Sequence, residues 1–254
     1  MTATHPRKTP PQRAARPSSD LERRGAKAIV EGYRRLAQSH GHLFEPILRG
    51  APPTQWEHYP PDDAISRDRR YQWYYHSHTP ADRPGSMEHG HFHLFARMDG
   101  AARAVDTGTE KKFLRRLAAV DSKAATRHLL CVGMSSVGAP ISLFTVNRWV
   151  TGDLLLSRAS SLTLLESTEL ETGYSMIDAV LRALCQLYRT DIRSLMTRRD
   201  ARLRARAVGC PGTLDDTGVE VLSELTLDVD RRIATAFANS FHRVGTVTSW
   251  RRRS

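Results

Sequence analysis

Along residues 71–97 the side chains alternate in twos. Trp73 and Tyr75 interleave with polar neighbours, as do Phe92 and Leu94 further on. A period of two is that of a β-strand, which turns successive side chains to opposite faces. The pattern predicts strands over 71–78 and 89–97, with those four residues facing a core. Two more apolar runs, 128–135 and 141–147, are joined by Ser136-Val137-Gly138-Ala139-Pro140, whose Gly and Pro suit a hairpin turn.

Elsewhere the period is helical. Leu21, Ala26, Ile29, Val30, Tyr33, Leu36 and Ala37 recur at threes and fours. They predict a helix capped by Asp20 and running to about Gly50, with Pro46 and the Pro52-Pro53 pair as breakers. A helix over 109–120 carries Phe113, Leu114, Leu117 and Val120 on one side. Beyond Asp153 the pattern predicts a short helix near 159–167, a long one over 174–207, and a last one within 215–243. Trp56-Glu57-His58-Tyr59-Pro60-Pro61-Asp62-Asp63 reads as an ordered loop weighted with aromatics.

The order hairpin, helix, hairpin, then helices, predicts an α+β fold. Its small antiparallel sheet has about four strands and packs several helices on one face. One domain is expected over 20–243, with a histidine-rich sheet part at 56–153 and a helical part at 154–243. Residues 1–19 read as a disordered basic tail and 244–254 as a second basic tail.

The 254 residues, 40% of them hydrophobic, suffice for a sizeable core. No run approaches the roughly 18–20 apolar residues that cross a bilayer, and none resembles a signal peptide. The acid-free, arginine-bearing start is also a trait of organelle transit peptides. Formal net charge is +11. Much of it sits at the ends: Arg7, Lys8, Arg13 and Arg16 at one, Arg251, Arg252 and Arg253 at the other. Weak, non-specific nucleic-acid binding follows from such tails, and a membrane partner does not. Cys131, Cys185 and Cys210 are dispersed, which argues against a disulfide framework and for a reducing, cytoplasmic setting. Each reads as a small buried hydrophobe.

Histidine changes this picture. Of eleven in the chain, six fall between residues 58 and 93. His76 and His78 share one strand face; His89, His91 and His93 share one on the next. Paired as a hairpin, the two segments would line one patch with five imidazoles. Residues i and i+2 lie roughly 7 Å apart along a strand, so two such pairs can converge on one ion. Neutral imidazole is the commonest nitrogen ligand of zinc and first-row metals. The predicted metal ligands are therefore His76, His78, His89, His91 and His93, with zinc or iron as the ion and His58 and His128 as further candidates. Glu88 could ligate, orient an imidazole or act as a base. A catalytic site of this kind suits metal-assisted hydrolysis or oxygen-dependent chemistry on a small-molecule substrate.

His89-Gly90-His91-Phe92-His93-Leu94-Phe95 is also similar to the histidine-triad signature, with Gly in the first apolar place. That resemblance implies a nucleotide hydrolase or transferase in which His91 attacks phosphate, supported by His89 and His93. The match covers seven residues, and 79–87 lacks the Asn and Gln that usually accompany the triad.

A wider resemblance rests on Trp56-Glu57-His58-Tyr59-Pro60, Tyr74-Tyr75-His76-Ser77-His78, Glu88-His89-Gly90-His91-Phe92-His93-Leu94-Phe95 and Asn147-Arg148-Trp149-Val150-Thr151-Gly152-Asp153. Together these resemble a family of uncharacterised bacterial proteins, a domain of unknown function, which implies membership and no activity. Within the last segment Arg148 could grip a carboxylate or phosphate as an accessory catalytic group, beside Trp149 as an apolar wall. The alternative is a strand-ending turn with Trp149 buried and Arg148 paired to an acid. From Arg182 to Arg206 eight arginines face only Asp191 and Asp200. Such a helix could serve a non-enzymatic nucleic-acid-binding protein, or be a solvated face.

Overall fold

The computed structural model describes residues 18–78, 87–119, 124–209 and 212–238. The expectations for both tails lie mostly outside these residues, as does Cys210. The strands are β1 (Tyr59–Ile65), β2 (Tyr71–Ser77), β3 (Gly90–Arg97), β4 (Thr126–Met134), β5 (Pro140–Val146), β6 (Leu154–Leu155) and β7 (Val221–Thr226). The helices are α1 (Asp20–Gln38), α2 (Glu45–Leu48), α3 (Met98–Ala101), α4 (Thr107–Arg116), α5 (Arg148–Thr151), α6 (Arg158–Glu166), α7 (Ser175–Leu187), α8 (Arg189–Ala207) and α9 (Val229–Ala238).

The fold is α+β, and its sheet is larger than four strands. Its order is β1-β2-β3-β4-β5-β7, antiparallel throughout, while β6 lies parallel to β4. The four predicted strands form the middle. β1 falls in the segment read as a loop: its Pro60-Pro61 and Asp62-Asp63 hide strand character, and its pairing with β2 is irregular between Tyr59 and Ala64. Proline is tolerated there because β1 is an edge.

The cap of helix α1 is Ser19, one residue before the predicted Asp20, which is instead the first helical residue. Ser19 accepts from the Glu22 amide, and the Glu22 carboxylate accepts from the Ser19 amide at 2.6 Å, a capping box. The helix ends at Gln38 rather than near Gly50, and Pro46 opens the separate α2. The predicted 174–207 helix is two helices meeting at Tyr188, whose φ of −101° and ψ of 18° turn the axis.

One face of the sheet carries the main core. Trp73, Tyr75, Phe92 and Leu94 are fully buried there with Leu130, Val132 and Leu143, under Ala26 and Ile29 of α1 and Val180, Leu181 and Leu184 of α7. Burying each such side chain stabilises by about 1.5–3 kcal/mol. The indole N–H of Trp73 donates to buried Asp178 at 2.9 Å, so the ring is oriented as well as enclosed. A second apolar cluster joins Phe113 and Leu114 of α4, Leu203 of α8, both residues of β6 and Leu222 of β7. No helix among the described residues is long and apolar enough to cross a membrane.

Candidate metal centre

The other face of β2, β3 and β4 carries the histidines. In the β2–β3 ladder His76 stands opposite His91 and Tyr74 opposite His93. Across β3 and β4, His93 stands opposite Cys131. Alternation thus delivers His76, His91, His93 and Cys131 to one side. His128 joins them through a bulge: Leu94 pairs with Leu130 but Phe95 with His128, so Leu129 is the extra residue. Residues 128 and 131 would point oppositely on a regular strand, and the bulge restores them to one face.

The rings form a contiguous row. His91 Nε2 lies 2.9 Å from His76 Nε2 and 2.8 Å from His93 Nε2. The other nitrogen of His91, Nδ1, lies 2.7 Å from Glu88 Oε1 and 3.2 Å from His78 Nε2. The other nitrogen of His93, Nδ1, lies 3.1 Å from His128 Nε2 and 3.4 Å from Cys131 Sγ. Three sets of ligand atoms result, each within 4.8 Å of one another: His76/His91/His93, His93/His128/Cys131 and His78/Glu88/His91. These buried histidine and cysteine groups are able to hold a metal ion.

Exposure falls along the row. His78 is half-buried, His76 is 8% exposed, His91 2% and His93 0%. Trp56, 59% exposed, sets its ring edge-on to His76 and His78, with centroids 5.9 and 5.1 Å away. Its φ of 67° lies in the left-handed region, uncommon for a bulky residue. Burial pushes the His128 imidazole down to about 3, with the Arg199 charge adding to the effect. Burial, with the neighbouring imidazoles, drives His93 well below its ordinary value. Both rings are held neutral, the form that ligates metal.

Glu88 and His89 exchange the sides that strict alternation gives them. Strand β3 begins at Gly90, where an added Cβ would sit 2.7 Å from the Tyr75 ring. The Glu88 side chain, 3% exposed, turns to His91. His89 Nδ1 lies 2.6 Å from the hydroxyl of Tyr75, and its ring stacks with Phe44, both residues of the main core. His89 is therefore apart from the row. A glycine also makes room for Glu88: a Cβ on Gly133 would lie 2.6 Å from its Oε2.

His58 also stands apart from these ligand sets. Its ring stacks on Tyr74 at 3.6 Å and its Nδ1 meets Asp63 at 3.0 Å, making it part of the cover. Arg148 pairs with Asp215, its Nε 2.8 Å from Oδ1, at a small cavity lined by Leu117, Ala119 and Leu214. Asn147 caps α5 and donates to the Thr213 carbonyl; the Trp149 indole donates to that of Val219. That segment holds a strand end and a turn. Along α8, Arg189 and Arg193 pair with Glu166, Arg206 pairs with Asp216, and Arg199 is fully buried against Asp200 and the Leu156 carbonyl. Much of the arginine stripe is thus tied into the fold.

A family model described as "Domain of unknown function (DUF6969)" matches residues 23–227. The chain belongs to this family. The DUF6969 match spans every residue of the histidine row and all four quoted motifs. No curated protein and no solved structure matches the chain.

Proposed function

We propose that this DUF6969 protein is a metalloprotein in which His76, His91 and His93 bind one divalent ion through Nε2. The convergence of those three nitrogens carries the reading. Two hydrogen-bonding contacts to one Nε2 can share only one proton, whereas three neutral ring nitrogens gathered within 4.8 Å suit a cation. Glu88 completes the arrangement by accepting from His91 Nδ1–H, which fixes the tautomer and raises the basicity of the ligating nitrogen. Three nitrogens leave a position for water or substrate, as in catalytic zinc sites. The rise in exposure toward His78 and Trp56 supports a mouth at that end. Zinc or iron is the expected ion, and metal-assisted chemistry on a small molecule the expected activity.

The histidine-triad mechanism is less well supported. It needs a ring nitrogen free to meet phosphate, and both nitrogens of His91 lie within 3 Å of protein atoms on a ring only 2% exposed.

Elemental analysis of untagged protein tests the proposal. At least one equivalent of zinc or iron should copurify, and the His76→Ala/His91→Ala double variant should lack it. Absence of metal from folded wild-type protein, together with chelator-resistant turnover of a nucleotide ester that His91→Ala abolishes, would overturn it. Iron lost on Glu88→Ala but kept on His93→Ala would move the ion to His78, Glu88 and His91.

A further inference from the structure

We propose that a second, thiophilic ion, of the zinc or copper class, binds at His93, His128 and Cys131, and that the His93 ring bridges it to the first. The inference rests on the metal-ligand triad His76, His91 and His93 only for that sharing of His93.

The ligand atoms are placed for it. Cys131 Sγ lies 3.4 Å from His93 Nδ1 and 3.3 Å from His128 Nε2, and the two nitrogens are 3.1 Å apart. Tetrahedral zinc, with bonds of about 2.3 Å to sulfur and about 2.05 Å to nitrogen, separates such atoms by about 3.5 and 3.3 Å. An outward shift of a few tenths of an ångström admits the ion. Two imidazoles with a thiolate favour zinc or copper over harder ions. The backbone serves the same end: Cys131 is the cross-strand partner of His93, and the Leu129 bulge turns His128 to meet them.

The set differs from the triad in access. Cys131 and His93 are 0% exposed and His128 1%, so this end of the row is closed to water. A closed site fits a structural or electron-transferring ion, while the open end keeps the position for chemistry. Bonds from the two nitrogens of one ring point outward, placing the ions about 6 Å apart at such bond lengths. Binding the second ion displaces the Cys131 thiol proton and the remaining N–H proton of His93, releasing two protons to solvent.

Cobalt(II) titrated into the metal-stripped full chain distinguishes the outcomes. Wild-type protein should take up two equivalents and develop a thiolate-to-cobalt charge-transfer band in the near ultraviolet. Cys131→Ser should take up one equivalent without the band, and His128→Gln should also lose the band, with circular dichroism showing both folded. His76→Ala should lose one equivalent and keep the band; His93→Ala should lose both. One equivalent without the band in wild type would overturn the second site and leave the triad standing. One equivalent with the band, unaffected by His76→Ala, would overturn both the triad and the bridge.

Discussion

On one side of β2 and β3 stand Trp73, Tyr75, Phe92 and Leu94; on the other, alternating with them, stand Tyr74, His76, His91 and His93. Both sets are buried, yet they contribute differently. The first is enclosed by apolar side chains of α1 and α7, and its burial stabilises the fold directly. The second packs against Phe95 and Phe144 but also brings its own polar atoms together, with ring nitrogens 2.8–3.2 Å from one another. Removing those nitrogens from water is compensated only when each finds a proton or a cation. The apolar face is where the fold is secured, and the histidine face is where groups able to hold a metal ion gather.

Removing the Phe92 ring should have the largest effect on that contrast. Phe92→Ala should lower unfolding free energy by about 3–5 kcal/mol in a urea titration. Metal stoichiometry of the remaining folded protein should stay unchanged; a comparable stability loss without a change in metal from His91→Ala would erase the distinction.

Acid should act next, and between about pH 6.5 and 5 it should act chiefly through the histidine face. His128 protonates near 6.5 when unfolded and at about 3 when folded. Between those values the unfolded chain binds a proton that the folded chain refuses. Stability is then full above about pH 6.5 and falls with pH at about 1.4 kcal/mol per unit, or about 2 kcal/mol by pH 5, from His128 alone. His93 shifts in the same direction. Urea midpoints of metal-free protein across this range should show the slope, and His128→Gln should reduce it, leaving the share due to His93.

A smaller effect is expected at Glu88. Glu88→Gln keeps an acceptor for His91 but withdraws the charge, so affinity for the first ion should fall about 10–100-fold in a chelator competition. An unchanged affinity would remove Glu88 from the centre. Smallest of all, Trp56→Ala should change stability by no more than about 0.5 kcal/mol, since the ring is mostly in water. Faster removal of metal by a chelator would mark the mouth of the row; an unaltered rate would put the mouth elsewhere.

The central strands were legible because their apolar residues repeat every second position, and the histidines shared that rhythm. What escaped were departures from it. β7 is a six-residue edge strand, Val-Leu-Ser-Glu-Leu-Thr, with too little alternation to separate it from the adjoining helix. The break at Tyr188 carries no Gly or Pro, so the helical period runs through it undisturbed. His89 was placed by parity but turns to Tyr75 and Phe44, while Glu88, expected within reach of an imidazole, meets His91. Cys131 reads as a small apolar residue in an apolar run, and nothing local signals the bulge that brings His128 beside it.

Strand β4 also changes neighbours midway: His128 stands opposite Leu155 of β6, and Cys131 opposite Phe144 of β5. The thiol and the imidazole are thus set by two separate ladders, and a slip in either would part them. An ion gripped by both would reward only the finished sheet, making its capture a late checkpoint in the maturation of the chain.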